Sequence, residues 1–131
     1  MKELLIMYTQ YDKERKQFNE PIANFQSVQN MLAEMAMEVY TVESILFRTA
    51  VDYDDKTMLG RQAAMVKHLA SDGLGKVADL AMQIHGGMGF SKELPIERFY
   101  RDARINKIFE GTNEIQKGII ARDVIKRNGK M

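Results

Sequence analysis

Two short segments of the sequence contain residues whose types and spacing could support chemistry. The first runs from Gln83 to Phe90 and places three glycines, Gly86, Gly87 and Gly89, within four positions. Such a backbone can turn sharply, or it can approach a flat or phosphorylated ligand closely. A glycine-rich end of a helix explains the same pattern, and the spacing alone favours that structural interpretation.

The second segment, residues 108–115, contains a carboxylate on a flexible connector. Glu110 follows the aromatic Phe109 and precedes a Gly-Thr step. Apolar neighbours favour the neutral form of a carboxyl group, which suits a residue that accepts a proton as a general base. Capping of a following helix and compensation of its dipole also explain an acid here, and on this segment alone that explanation is favoured.

The composition limits the chain to one domain and excludes several classes of function. Its 131 residues include no cysteine, which excludes disulfides, thiol catalysis and thiolate metal sites. The formal net charge of +1 gives no basic excess for nucleic acid, and no apolar run approaches the ~20 residues of a membrane span. The two histidines, His68 and His85, lie far apart in the sequence, so we expect no metal site.

Helical periodicity dominates the segments that must position these residues. Apolar residues recur at steps of three and four over about 2–16, 27–54, 58–85, 95–109 and from 113 onward. Asp54-Asp55 and Thr57 indicate a break and a new N-cap between the second and third helices. The sequence therefore predicts an all-α fold, an up-and-down helical bundle of four to five helices.

Three local expectations accompany this bundle. Asn113 is expected to be the N-cap of the last helix, in a capping box with Gln116. Asn19 is expected to adopt a left-handed backbone conformation in a turn after the first helix. Gly73 weakens the third helix by roughly 1 kcal/mol relative to alanine, which indicates that another element approaches that position closely.

Several separated motifs, taken in order, resemble the C-terminal region of the acyl-CoA dehydrogenases. They are Gln83–Phe90, Arg101-Asp102-Ala103-Arg104, Phe109–Gln116 and, upstream, Glu14–Phe18, Pro21-Ile22 and Phe25-Gln26. The resemblance extends from about Tyr11 to Arg127. It implies that residues 1–131 form the C-terminal helical domain of such an enzyme, which contacts FAD and acyl-CoA and mediates oligomerisation, with the N-terminal and middle domains absent.

The function that the resemblance implies is that of an FAD-dependent acyl-CoA dehydrogenase, a flavoprotein oxidoreductase of fatty acid β-oxidation. Such an enzyme oxidises acyl-CoA to trans-2-enoyl-CoA. Glu110 matches the family's base, which removes the α-proton, and Gly111 would lie against the thioester of the substrate. We expect the isolated chain to be incomplete and without turnover, because the other domains of the family hold much of the flavin and the substrate.

The resemblance also implies which positions contact FAD. Six of them match positions that typically meet the flavin of a neighbouring subunit: Arg15, Gln17, Phe18, Gln83, Gly86 and Gly87. Gln26 matches a second polar FAD contact of the family. Thr112 and Glu114 match positions that touch FAD within the subunit of the base. Asn19 stands where the family usually has glycine, an exchange that a left-handed position tolerates.

The partners that the resemblance implies follow from this division of the flavin site. A homo-oligomer, dimeric or tetrameric, would complete each site, and an electron-transfer acceptor protein would reoxidise the flavin of the full enzyme. Members of the family typically work in the cytoplasm or the mitochondrial matrix. We expect no nucleic acid partner and no membrane span.

Two other functions stay open at this point. The chain could be a non-catalytic helical module that self-associates or binds a separate chain carrying the missing domains, because their absence would expose apolar faces. A binding protein for acyl-CoA alone is the weaker alternative, because the segment that contacts the substrate in the family, just before the first helix, is missing.

Overall fold

The described residues, 1–54 and 59–129 of a computed structural model, form six α-helices and one short β-hairpin. The side chains of Asp54 and Leu59 are outside this description. The predicted all-α bundle is confirmed, and the helix beyond the expected five has only four residues. The elements are α1 (Lys2–Glu14), β1 (Lys16–Gln17), β2 (Glu20–Pro21), α2 (Gln26–Val51), α3 (Leu59–His85), α4 (Gly87–Phe90), α5 (Ile96–Ile105) and α6 (Asn113–Lys126).

Helix α3 lies at the centre of the bundle and packs against α1, α2, α5 and α6. The core between them consists of buried aliphatic and aromatic side chains from every long helix except α6, among them Leu4, Tyr8, Met35, Val77, Ala81 and Ile96. Burying one such large side chain stabilises the fold by about 1.5–3 kcal/mol. The two candidate segments are therefore attached to one central helix, at different points along it.

Helix α1 ends earlier than the periodicity predicts, because Arg15 already has extended backbone angles. A two-residue β-hairpin follows, in which Lys16 pairs with Pro21. Phe18 and Asn19 form its turn with φ angles of 52° and 68°. Left-handed angles at both positions are typical of the type I′ turn that joins antiparallel strands. The left-handed conformation of Asn19 is confirmed, whereas the helix to residue 16 is wrong.

Gly73 of α3 lies close to side chains of α2. A Cβ atom at this position would lie 3.1 Å from Glu38 Oε2 and 3.4 Å from Val42 Cγ2, both on α2. The predicted close approach is confirmed. Helix α2 ends at Val51 and is followed by the 3-10 helix Asp52–Asp54, while the predicted break after it and the cap at Thr57 lie outside the described residues.

The end of α1 holds a carboxylate that the periodicity does not explain. Asp12 is fully buried one turn after Tyr8, on the face of α1 that packs on the core. Neither carboxylate oxygen has a hydrogen-bond partner among the described residues. Burial raises the pKa of Asp12 to about 6, because the charged form loses its hydration.

None of the helices in the described part of the chain is long and apolar enough to cross a membrane.

Candidate functional site

Glu110 lies on the connector between α5 and α6, beside an open cavity of about 310 Å³. Its backbone is left-handed, with φ 54°, and Gly111 follows with φ 89°. A non-glycine residue in this conformation costs roughly 1–2 kcal/mol, so other contacts must hold the connector in place. The Glu110 side chain is exposed. The cavity is lined by Met1, Lys67, Ala70, Ser71, Leu74, Asn106, Phe109 and Glu110.

Hydrogen bonds close the connector into a defined loop. The backbone N–H of Asn113 donates to the carbonyl of Lys107 at 3.1 Å. Gln116 Nε2 donates to the carbonyls of Glu110 at 3.4 Å and Gly111 at 3.3 Å. A Cβ atom on Gly111 would lie only 2.7 Å from that amide nitrogen. Glycine at this position therefore permits both the left-handed backbone angle and the close approach of the Gln116 side chain.

Thr112 is the N-cap of α6, and its Oγ1 accepts a hydrogen bond from the Ile115 N–H at 3.3 Å. The predicted capping box of Asn113 and Gln116 is therefore wrong. Asn113 is the first residue of the helix, and its buried side chain hydrogen-bonds to α3 instead of capping its own helix. Gln116 reaches back to the connector rather than to the cap residue.

Asn113 is at the centre of a polar network between α6, α3 and the connector. Its Oδ1 accepts hydrogen bonds from Lys67 Nζ at 2.8 Å and from Ser71 Oγ at 3.0 Å. Its Nδ2 donates to Asp72 Oδ1 at 3.4 Å. The same oxygen of Asp72 forms an ion pair with Lys107 Nζ at 2.9 Å. The network thus joins residues on both sides of Glu110 to the central helix.

Sequence reasoning missed this network. The sequence pattern that could have indicated it is a set of polar residues, Lys67, Ser71 and Asp72, on one face of a helix whose opposite face is apolar. His68 also lies four residues before Asp72, and its Nε2 is 3.8 Å from Asp72 Oδ2. The hydrogen bond from Lys107 lowers the pKa of Asp72, against a smaller opposing effect of burial.

Glu114 follows the connector in the first turn of α6 and is exposed. Hydrogen bonds from its own backbone N–H and from the Thr112 hydroxyl lower the pKa of Glu114. An ionised acid near a helix N-terminus is also favoured by the helix dipole. Thr112 and Glu114 therefore place a hydroxyl and a negative charge at the start of α6, directly after the connector.

The glycine-rich segment ends α3 and starts α4. Gly86 has φ 55° and ψ −134°, a region open to glycine and strained for other residues. His85 is buried before it, stacked on Tyr11 at 3.9 Å between ring centroids and edge-on to Tyr8 at 4.9 Å. Burial lowers the pKa of His85. The expected sharp turn is confirmed, but the helix resumes for the four residues of α4.

The aromatic contact between Tyr11 and His85 ties the end of α1 to the end of α3. Most of the candidate flavin contacts lie on the elements that meet there, and we call them the first group. All of them are exposed: Arg15, Gln17, Phe18, Gln26, Gln83, Gly86 and Gly87. Phe18 is 88% exposed at the hairpin turn. Arg15 forms no ion pair with any described residue.

The structure keeps this first group apart from the Glu110 connector. Ser71 contacts the connector network and His85 precedes the glycine turn, and both belong to the continuous helix α3. At 1.5 Å of rise per residue, they are separated by about 20 Å along the helix axis. One copy of the chain therefore brings Glu110, Gly111, Thr112 and Glu114 together but does not bring them to Arg15 or Gln83.

The described residues contain no group of three or more acidic or histidine side chains that could hold a metal ion. The chemistry available at the connector is that of one exposed carboxylate beside an apolar residue, Phe109, with a cavity next to it. That arrangement suits proton transfer.

The sequence matches the family described as "Acyl-CoA dehydrogenase, C-terminal domain" over residues 1–125. Because the match covers nearly the whole chain, the chain belongs to this family.

Comparison with individual proteins agrees with the family match. The acryloyl-CoA reductase (NADH) of Anaerotignum propionicum is 44% identical over 117 residues, which cover 89% of this chain and 30% of the relative. The mitochondrial short-chain specific acyl-CoA dehydrogenase of Bos taurus is 41% identical over 116 residues, covering 88% of this chain and 28% of the relative. This chain thus spans about a third of the length of the curated relatives it matches.

The fold is also found in a solved flavin complex. The structure of the FAD complex of PigA superimposes with a TM-score of 0.90 and 33% sequence identity. The match covers 96% of this chain and 33% of that one.

Proposed function

We propose that this chain is the C-terminal helical domain of an FAD-dependent acyl-CoA dehydrogenase that oxidises acyl-CoA to trans-2-enoyl-CoA. The observation that supports it most is the Glu110 connector, an exposed carboxylate held in a strained backbone conformation beside a cavity. Strain of this kind persists where the surrounding structure holds it, and it is concentrated at functional sites. The family match agrees with this function.

Glu110 is the base in this proposal. Its carboxylate takes the proton from the carbon next to the thioester, while the hydrogen of the next carbon leaves with its electron pair, so that a double bond forms between the two carbons. Bound FAD supplies the acceptor for that hydride. Gly111, the residue after the base, lies against the thioester in this proposal. Phe109 contributes an apolar surface at the cavity.

The name of the acryloyl-CoA reductase describes the reverse reaction, and the same residue could perform it. A protonated Glu110 would then return its proton to the carbon next to the thioester. We favour the oxidative direction for this chain because the matching family is described as a dehydrogenase and the bovine relative is named as one.

The residues at the other end of the bundle fit a flavin. The guanidinium of Arg15 is exposed and has no described ion-pair partner, so it is available to a diphosphate. Nothing lies within 4 Å of where a Cβ atom would stand on Gly86 or Gly87, which leaves the backbone open to a flat ligand. In our proposal, the exposed backbone of Gly86 and Gly87 is surrounded by Gln17, Phe18, Gln26 and Gln83.

An oligomer, dimeric or tetrameric, completes each site in this proposal. The separation of about 20 Å along α3 keeps Arg15 and Gln83 away from Glu110 within a single copy, which favours their contacting two different flavins. We assign Thr112 and Glu114 to the flavin beside Glu110 and the Arg15 group to the flavin of a second subunit. Polypeptide beyond these 131 residues, of the N-terminal and middle domain type, supplies the rest of the site.

The proposal also includes an electron acceptor outside this chain. Bound FAD would hold two electrons after each turnover and would have to pass them to an acceptor. A separate electron-transfer protein is therefore the partner we propose. The location we propose is the cytoplasm or the mitochondrial matrix, the latter in keeping with the name of the bovine relative.

Replacing Glu110 by Gln in the flavin-loaded enzyme that contains this domain tests the proposal. The amide keeps the size of the side chain but accepts no proton, so reduction of the flavin by acyl-CoA should slow by at least about 100-fold. Stopped-flow bleaching of the flavin absorbance measures this rate. Glu93→Gln, a change at an exposed loop residue, is the matched control. A normal rate of flavin reduction in E110Q would show that the base is elsewhere.

A second candidate function is a non-catalytic module that self-associates. It is favoured by the exposed apolar side chains along the outer face of α2, which include Met37, Tyr40, Leu46, Phe47 and Val51. Sedimentation velocity of the chain with and without FAD separates the two functions. Stable oligomers that bind no flavin at high micromolar concentration would support the module, whereas assembly that depends on FAD would support the enzyme.

A further inference from the structure

The two ends of the Glu110 connector are bound to one carboxylate on α3. Lys107 lies near the start of the connector, and its ammonium is 2.9 Å from Asp72 Oδ1. Asn113 follows the connector, and its Nδ2 donates to the same oxygen at 3.4 Å. Asp72 is therefore the shared attachment point of the connector.

The interior of the loop is also constrained by this arrangement. The Asn113 N–H reaches the Lys107 carbonyl, so the backbone ring closes only when both residues stay in place. Gln116, in the turn of α6 that Asn113 begins, holds the carbonyls of Glu110 and Gly111. Displacing Asn113 would therefore release the hydrogen bonds that offset the strain at Glu110.

We propose that Asp72 is a positioning residue for Glu110, acting through Lys107 and Asn113 to hold the base at a fixed place and orientation. The inference rests on the proposed function, in which Glu110 is the base. Asp72 touches neither the substrate nor the flavin in this proposal. Its effect on the reaction is geometric, because a displacement of about 1 Å at a reacting group can cost about 100-fold in rate.

The charges around Asp72 favour this role. Lys107 forms its ion pair, His68 lies at 3.8 Å on the same helix, and Lys117 of α6 acts from a longer distance. The ammonium of Lys67 is held on the far side of Asn113. The positive charges of Lys107 in the connector and Lys117 of α6 thus help to lower the pKa of Asp72, so its carboxylate stays ionised through the neutral pH range.

The first experiment measures amide hydrogen exchange in the 131-residue chain carrying Asp72→Asn. The variant keeps the shape of the side chain and removes its charge, so the Asn113 amide should exchange about tenfold faster. Amides of the hairpin at residues 16–21 should exchange as before, because they belong to the other end of the bundle. Asp79→Asn, at an exposed position two turns further along α3, is the matched control. Equal exchange at Asn113 in D72N and D79N would overturn the proposal.

The second experiment measures steady-state kinetics in the flavin-loaded enzyme. We expect D72N to lower kcat by about 10- to 100-fold with KM within about twofold, because the base is misplaced while binding is retained. Asp72→Glu keeps the charge and should recover part of kcat. Thermal melting of each variant accompanies the kinetics. A kcat that follows the fraction of folded protein, or that stays normal although exchange is faster, would overturn the positioning role.

Glu110→Gln separates this inference from the proposed function. If E110Q reduces flavin normally, the base assignment fails, and with it the catalytic part of the inference, while the exchange data still decide whether Asp72 holds the connector. If E110Q is inactive and D72N matches D79N in both exchange and kcat, Glu110 remains the base and the positioning role fails alone.

Discussion

The connector around Glu110 and the glycine turn after His85 solve the same structural problem in different ways. Both place left-handed backbone next to a helix end, at Glu110 and at Gly86. The glycine turn relies on a residue without a Cβ atom, and it lies beside the stack of His85 on Tyr11 of α1. The connector places a glutamate in a costly conformation and holds it with side chains from a distant helix. A glutamate in this backbone conformation needs support from α3, whereas glycine adopts the conformation of Gly86 without a steric cost.

The two regions also differ in the surroundings of a carboxylate. Asp72 beside the connector is ion-paired and its pKa is lowered. Asp12, near the glycine turn, is buried without a partner among the described residues, and its pKa is raised to about 6. The first carboxylate adds a charged attachment point, and the second is an unpaired charge at neutral pH that weakens the region around it.

The largest expected effect separates the two regions by ligand binding. Arg15→Ala combined with Gln83→Ala should weaken FAD binding by about 10- to 100-fold, because a charge-assisted hydrogen bond contributes roughly 1.5–3 kcal/mol. Glu110→Gln should leave FAD binding almost unchanged in the same chain. Quenching of flavin fluorescence during titration measures both. Equal weakening of FAD binding by the double variant and by E110Q would contradict the assignment of FAD binding to the region of Arg15 and Gln83.

The next largest expected effect is on the pH dependence of stability. The folded pKa of Asp12 is raised, so its contribution to the free energy of unfolding is greatest below about pH 4 and falls as pH rises to about 6. Asp12→Asn removes this dependence and should stabilise the chain at pH 7.5 by about 1–3 kcal/mol.

Urea unfolding at about pH 4.5 and about pH 7.5 measures this difference between the variant and the original chain. Comparing the two chains at each pH cancels the opposite contribution of His85, whose lowered pKa makes stability rise with pH toward about 6.5. We expect D12N to gain more stability over the original chain at the higher pH than at the lower. An equal or smaller gain at the higher pH would contradict the unpaired state of Asp12.

The smallest effect compares two glycines on either side of the start of α6. Gly111→Ala forces a side chain into a left-handed position against Gln116 and should destabilise the chain by about 1–2 kcal/mol. Gly118→Ala, inside α6 with nothing within 4 Å of a new Cβ atom, should instead stabilise it by up to about 1 kcal/mol. Thermal melts that show the same sign for both would contradict the strained connector.

Features that depend on neighbours in sequence could be predicted, and those that depend on distant contacts could not. Helical periodicity predicted the bundle, and the left-handed Asn19 and the close approach at Gly73 followed from residue type. The cap of α6 was assigned to Asn113 because a local rule treats its side chain as free. In the fold that side chain hydrogen-bonds to Lys67 and Ser71, which lie 46 and 42 residues away in sequence.

The candidate site shows the same limit. Glu110 and Gly111 stood out because a carboxylate beside Gly-Thr is a local signal. Asp72 gave no such signal, since an acid on a long helix is usually part of its solvated face. Its role depends on Lys107 and Asn113 meeting at one oxygen, which only the packing of α3 against both ends of the connector produces.

The distance of about 20 Å along α3 between the two groups has a genetic consequence. If each flavin site draws its base from one subunit and its Arg15 group from another, two defective chains can repair each other when they assemble together. In a mixed dimer of E110Q with the Arg15→Ala, Gln83→Ala double variant, one site inherits both defects and the other inherits none. Cells that produce both inactive chains should therefore regain a measurable fraction of activity that neither chain shows alone.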